Sequence, residues 1–239
     1  MLRVVPLPDP GMTRPSTTIS GETLDRARIE QLLRDDTLLV FDDCDLSGAD
    51  LSRLNLQDAS FRHCQLLETS FYAASLARTR WQRCRAGHAD FESSDLVDAH
   101  FASSDLNNTS WRRAKLASCS YRSCKLTGAG FEEVSYLGLS FEDTLLVGAD
   151  LRRMSFRKMT LVGLDFADAD LSGCDFRDAV FEGGSLRDAH IKDTRFDGAD
   201  LREADLGGLK LVNAKLFAGA LISPRQAAEL VRAMGLQVG

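Results

Sequence analysis

The residues of this chain best suited to bind a metal ion or to act as nucleophiles are six cysteines and four histidines. They are Cys44, Cys64, Cys84, Cys119, Cys124 and Cys174, with His63, His88, His100 and His190. All six cysteines lie at one position of a five-residue repeat, and no histidine lies there. This pattern predicts inward thiols and outward imidazoles, which cannot converge on one zinc ion.

Other catalytic signatures are missing from the sequence as well. It contains no Cys-x-x-Cys pair, no Walker loop, no G-x-S-x-G elbow and no GxGxxG motif. One row of the repeat contains Cys44, Cys64, Cys84 and Cys124, and neighbours among them would be within disulfide reach if they stack. Small core positions nevertheless favour free buried thiols. We therefore expect no enzymatic activity, no metal and no cofactor.

A bulky apolar residue recurs at every fifth position from 41 to 221, a period that is neither helical nor that of a strand. Of these 37 centres, 19 are Leu and 12 are Phe, and only Ala86 is not large. Two positions before the centre, 29 of the 37 residues are Ala, Cys, Ser, Thr or Gly. Each unit therefore places one large and one small side chain inward, and the chain must turn after every unit.

The aromatic centres indicate how many units close one turn. Seven of the ten centres that lie twenty residues apart from 41 onward are aromatic, whereas the row from 46 has one aromatic in nine. This segregation predicts that residues twenty apart stack. The result would be a four-sided coil with one unit per side and about nine turns.

Acidic residues concentrate near the C-terminal end of the repeat, where residues 165–205 hold twelve acids and five bases. Five of these acids directly precede a centre and are interpreted as turn residues: Asp165, Asp170, Asp175, Asp200 and Asp205. The other seven are the candidate partner-facing acids: Asp168, Asp178, Glu182, Asp188, Asp193, Asp197 and Glu203. We expect them to form an acidic surface.

Two further features depart from the regular pattern. A basic cluster contains Arg78, Arg80, Arg83, Arg85, Arg112, Arg113 and Lys115. A solvated face is the favoured interpretation, with phosphate contact as the alternative. Between 134 and 164 the small inward residue is replaced by Val134, Leu139, Met154, Met159 and Leu164. The rod is expected to widen or bend there. This deviation would mark either a contact site or only a change in packing.

The tandem pattern A-[DN]-[LF]-x-x resembles the pentapeptide-repeat family. GADLSRLNL at 48–56, DADLSGCDF at 168–176 and GADLREADL at 198–206 match it closely. The resemblance implies an all-β solenoid, a right-handed quadrilateral β-helix, with short helices added here at both ends.

The ends of the repeat predict the domain boundaries. Residues 1–19 hold four of the five prolines and are expected to be a flexible tail. Residues 20–40 are expected to form a capping helix over about 22–35, with Ser20 or Thr23 as N-cap. The β-helix would occupy 41–221, and 222–239 would form a helix and a short strand. Ser223, Pro224 and Gln226 fit the start of that second helix as a capping box.

The segment ISPRQAAELVRAMGLQVG resembles the C-terminal module of quinolone-resistance proteins of the Qnr and MfpA type. That resemblance implies homodimerisation there and binding to DNA gyrase by imitation of duplex DNA. The alternative is a lid on the last coil. The expected dimer contacts are Leu230, Val231, Met234, Leu236 and Val238.

These features together favour a non-enzymatic DNA mimic that binds DNA gyrase, a type II topoisomerase, and modulates or inhibits it, with resistance to gyrase-targeting drugs as a further consequence. The lack of a loop between coils resembles the MfpA type. A net charge of −6 gives no support to direct nucleic-acid binding. No apolar run spans a membrane, so a cytoplasmic protein is expected. The alternative function is a generic interaction scaffold with no topoisomerase partner.

Overall fold

The computed structural model describes residues 15–35, 37–209, 214–233, 235 and 237. One parallel sheet runs in sequence order from β1 to β9. Its strands are β1 Ser16–Ser20, β2 Leu38–Asp42, β3 Ser60–Arg62, β4 Arg80–Gln82, β5 His100–Ala102, β6 Ser120–Arg122, β7 Ser140–Glu142, β8 Thr160–Val162 and β9 Val180–Glu182. Two α-helices, α1 Arg26–Leu32 and α2 Pro224–Ala233, and a 3-10 helix, Ala214–Phe217, complete the described elements. The fold is therefore the all-β solenoid expected from the repeat.

Each coil has four faces of five residues. Face 1 carries strands β2 to β9, and faces 2, 3 and 4 follow it along the chain, centred in the first coil on Leu46, Leu51 and Leu56. Neighbouring coils are joined by parallel bridges between residues twenty apart, such as Asp45 with Gln65 on face 2. The corners form because the residue two positions after the centre adopts a left-handed conformation, as at Arg53, with φ of 60°. This conformation turns the chain after every unit.

The core lies inside the four faces, as the repeat predicts. Every centre from 41 to 206 is buried except Tyr136. Aromatic rings twenty residues apart stack, with centroids 4.0 Å apart between Phe61 and Trp81. The buried indole of Trp81 donates to the hydroxyl of Thr79, its own small inward neighbour, at 2.9 Å. All six cysteines are buried and free.

The N-terminal boundary differs from the sequence prediction. Residues up to 19 were expected to form a flexible tail, but Ser16–Ser20 pairs with β2 along its whole length and places Ile19 beside Phe41. Helix α1 follows and buries Ile29 and Leu32, and its N-cap is Asp25, not Ser20 or Thr23. A strand and a helix therefore cover the first coil, because a coil end exposes both a core and a strand edge.

The C-terminal register also differs from the prediction of an unbroken count to 221. The amide of Phe176 donates to Arg195, nineteen residues on, whereas the amide of Phe196 donates to Leu216, twenty residues on. The last coil thus holds one extra residue. As a result Phe217, the one phenylalanine outside the register, stacks on Phe196 at 4.8 Å in place of Leu216.

Candidate functional site

The seven candidate acids do not form one stripe. Successive coils stack at twenty-residue intervals, so Glu182 and Glu203 fall on face 1, Asp168 and Asp188 on face 2, and Asp193 on face 3. Face 4 holds Asp178 and Asp197, adjacent because the amide of Asp178 donates to the carbonyl of Asp197 at 3.0 Å. All are exposed except the half-buried Asp197. We call this set the acidic belt, since it surrounds the last coils.

The members of the acidic belt differ from the other acids of the same coils in having few partners. Within the described residues only Asp197 forms an ion pair, with Arg195 at 3.2 Å. Four others, Asp168, Asp178, Asp188 and Asp193, occupy left-handed corners, a conformation that Asp tolerates better than most residues. Corner geometry does not require a carboxylate, because Arg53 occupies the same kind of corner in an early coil.

The five acids interpreted as turn residues do have that role. Each accepts a hydrogen bond from the amide two residues later, as Asp165 does from Ala167 at 3.0 Å. The guanidinium of Arg177 lowers the pKa of Asp175, and that of Arg202 lowers the pKa of Asp200. These carboxylates are therefore held by the fold and do not contribute to the free acidic belt.

The C-terminal module begins as the capping box predicts. The Ser223 amide donates to Gln226 Oε1 at 2.6 Å, and the Gln226 amide donates to Ser223 Oγ at 3.3 Å. The sequence did not reveal a second role of Gln226. Its buried Nε2 donates to the carbonyls of Leu201 and Ala204, each at 2.7 Å. Helix α2 is thereby fixed to the last coil, the arrangement that a lid requires.

The expected dimer contacts are only partly described. Leu230 and Val231 are half-buried within one chain, while Met234, Leu236 and Val238 lie outside the described residues. Next to the helix, Leu221 is 52% exposed and Ile222 is 37% exposed. The module therefore presents apolar side chains that the chain itself does not fully cover.

The basic cluster lies mostly in ion pairs, as a solvated face would. Arg78 pairs with Asp58 at 2.7 Å, Arg113 with Glu133 at 3.0 Å, and Lys115 with Asp95 at 3.7 Å. Arg112 lies 4.0 Å from the carboxylates of two glutamates. These pairs connect different coils and neutralise most of the cluster.

The described residues form neither a metal centre nor a membrane-spanning helix. Among the described residues no group of three or more His, Cys, Asp or Glu side chains could hold a metal ion. No helix in the described part of the chain is long and apolar enough to cross a membrane. An open depression of about 640 Å³ lies along face 3, lined by residues of four successive coils from Phe131 to Asp193.

Comparisons with known proteins agree with this fold. A family model described as pentapeptide repeat region matches residues 39–111. A second model, pentapeptide repeats (8 copies), matches residues 94–132, 144–183 and 179–216. The comparison with curated proteins found no match.

Three solved structures illustrate the likeness. A trypsin-treated form of QnrB1, a plasmid-mediated fluoroquinolone resistance protein, is 19% identical with a TM-score of 0.54, covering 94% of this chain and 98% of that one. Full-length QnrB1 is 20% identical with a TM-score of 0.52, covering 92% and 98%. HetL, involved in heterocyst differentiation regulation in the cyanobacterium Nostoc, is 20% identical with a TM-score of 0.40, covering 82% and 89%. At these identities the likeness concerns the fold alone. Since the repeat models together match most of the solenoid, the chain belongs to the pentapeptide-repeat proteins.

Proposed function

We propose that this chain is a non-enzymatic DNA mimic that binds a type II topoisomerase, DNA gyrase, and inhibits it. The observation that carries the proposal is the acidic belt, six of whose seven members make no ion pair within the described residues. A DNA duplex carries phosphate charge around its whole circumference. Acids distributed over four faces imitate such a duplex better than a single acidic stripe would.

The dimensions of the rod support the same function. Strands β2 to β9 give seven coil spacings of about 4.8 Å, or roughly 34 Å. That length corresponds to about ten base-pair steps of duplex. The positive DNA-binding groove of a topoisomerase would attract such a rod through long-range charge, so binding should weaken with salt.

The test is a gyrase supercoiling assay with added protein. We expect the wild-type chain to inhibit supercoiling, less so as salt rises, and the triple variant Glu182→Lys, Asp188→Lys, Asp193→Lys to lose inhibition. The matched control carries the same charge change in the early coils, Asp43→Lys, Glu68→Lys and Asp98→Lys, and should inhibit like wild type. Equal loss in both triple variants would indicate a net-charge effect and no specific surface.

The alternative is an interaction scaffold without a topoisomerase partner, favoured by the corner positions of four belt acids. The chain would then neither change supercoiling nor retain gyrase in a pull-down. Drug protection is a separate outcome, read from gyrase activity in the presence of a fluoroquinolone with and without the protein.

We further propose that the chain dimerises through the C-terminal module, placing Leu230, Val231, Met234, Leu236 and Val238 at the contact. The exposed Leu221 and Ile222 support this proposal. Light scattering should give twice the chain mass of 26.3 kDa. The variant Leu230→Glu, Val231→Glu should give a monomer with unchanged circular dichroism, whereas a wild-type monomer at high concentration would contradict the proposal.

A further inference from the structure

The coil that contains residues 131–150 and the coil that contains residues 151–170 separate along part of their boundary. On face 4, Ser135 pairs with Lys115 above and Ser155 pairs with Asp175 below, yet the two serines do not pair with each other. On face 1, β7 and β8 share the single bridge between Glu142 and Val162. We call this opening the seam.

Backbone groups that are paired in neighbouring coils are free at the seam. Within the described residues, the amides of Tyr136, Gly138 and Thr160 lack the carbonyl partner in the adjacent coil that their counterparts at 116, 118 and 140 have. Exposed amides and carbonyls of this kind form a strand edge, which can accept another extended chain. The seam is therefore an open strand edge in the middle of the solenoid.

The side chains at the seam explain why the coils part. Tyr136 occupies a core centre but is half-buried, and its hydroxyl accepts a hydrogen bond from the Ser155 amide at 3.0 Å. That amide would otherwise bond to the carbonyl of Val134. The larger inward residues Val134 and Met159 are only half-buried, and Leu137 is 88% exposed. An apolar strip thus runs along the open edge.

The charge on the lower side of the seam is positive. Arg153, Arg157 and Lys158 are exposed and form no ion pair within the described residues. On the upper side, Glu132 and Glu133 are already paired, with Arg152 at 2.8 Å and Arg113 at 3.0 Å. The depression also contains Arg153, Lys192 and Asp193 in its lining. The uncompensated charge at the opening is therefore basic.

We propose that the seam binds an extended acidic peptide of a partner protein by strand addition. Its backbone would pair with the free amides and carbonyls along face 4, which is five residues long. Alternate side chains would contact Val134, Tyr136 and Met159, and its carboxylates would contact Arg153, Arg157 and Lys158. Backbone pairing supplies affinity and the side chains supply specificity, as in other strand-addition complexes. The depression borders this site through Val134, Tyr136 and Arg153.

The test selects peptides from a random twelve-residue phage library on the intact protein and measures their affinity by fluorescence anisotropy. We expect the enriched sequences to be acidic and rich in β-branched residues. The variant Arg153→Glu, Lys158→Glu should weaken binding at least tenfold. The control Arg53→Glu, Lys125→Glu makes the same charge change in closed coils, with Arg53 at the same corner as Arg153, and should bind like wild type.

Hydrogen exchange provides the readout that separates strand addition from charge attraction alone. The amides of Tyr136, Gly138 and Thr160 should exchange rapidly in the free protein and become protected when the peptide binds. Three results would overturn the proposal: enrichment of peptides without acidic residues, equal weakening in both double variants, or slow exchange of these amides without peptide. Protection that appears only as protein concentration rises would identify a second copy of the chain as occupant and would also overturn it.

Discussion

The rod before the seam and the rod after it use the same repeat but build different cores. Up to Phe141, two columns of rings on faces 1 and 3 stack along the axis and also touch each other edge to face, as Phe101 does with Trp111 at 5.5 Å. From Phe156 onward the main column lies on face 4 and continues through Phe176. No ring contact joins Phe141 to Phe156 among the described residues. The seam thus coincides with the change of column.

The surfaces of the two regions differ in the same way. Before the seam, ion pairs join residues about twenty apart, such as Arg122 with Glu142 at 2.8 Å, and so connect coils. After it, most pairs lie within one unit, as between Arg177 and Asp175 at 2.6 Å. Local pairs leave the acids of adjacent coils unpaired. The ion pairs of the first region therefore connect its coils, whereas the second region leaves acidic side chains without an ion-pair partner.

The largest expected effect tests the two stacked columns of rings before the seam. Replacing Phe101 by Asp removes a ring that contacts Trp81, Phe91, Trp111 and Tyr121. It also buries an unpaired charge, so we expect a loss of more than about 5 kcal/mol and no cooperative fold. Circular dichroism and urea unfolding measure this. Phe101→Leu is the control and should remain folded; a folded Phe101→Asp protein would refute the inward placement of the ring.

The next effect tests the region after the seam. A Cβ on Gly184 would overlap the backbone carbonyl of Leu164, whose large side chain stands where small residues are usual, and Gly184 has φ of +79°. Gly184→Ala should cost about 3 kcal/mol or more. Gly183→Ala is the matched control, since φ is +76° there but nothing lies within 4 Å of its Cβ. Equal urea midpoints for the two variants would show that the coils adjust without cost.

A smaller effect tests the polar partner of a core ring. Thr79→Val preserves shape but removes the acceptor of the Trp81 indole, so a buried N–H loses its bond at a cost of about 1–3 kcal/mol. The double variant Thr79→Val, Trp81→Phe should recover part of this loss, because no donor remains. If the single and double variants unfolded at the same urea concentration, the hydrogen bond would have no role in stability.

Much of the fold could be predicted from the sequence because the large apolar residue at every fifth position must point into the core. The four faces, the inward cysteines and the capping box of Ser223 and Gln226 follow from such local rules. The strand Ser16–Ser20 could not be predicted, since it lies outside the repeat. The extra residue in the last coil could have been inferred from Phe217, the one phenylalanine that lies outside the five-residue register. The seam depends on which side Tyr136 faces, a matter of packing between coils that a five-residue pattern does not encode.

The smallest expected effect concerns acid stability after the seam. Salt bridges and backbone amides lower the pKa of Asp175, Asp200 and Asp205, through Arg177, Arg202 and the Gly207 amide respectively. Because their folded pKa lies below the unfolded value of about 3.9, their stabilisation is present above that pH and is lost as pH falls through the folded pKa. Below about pH 4, hydrogen exchange should therefore accelerate first in coils 170–205. The double variant Asp175→Asn, Asp200→Asn should flatten this pH dependence, and earlier acid opening in coils 60–130 would contradict the assignment of these pairs as the acid-sensitive contacts.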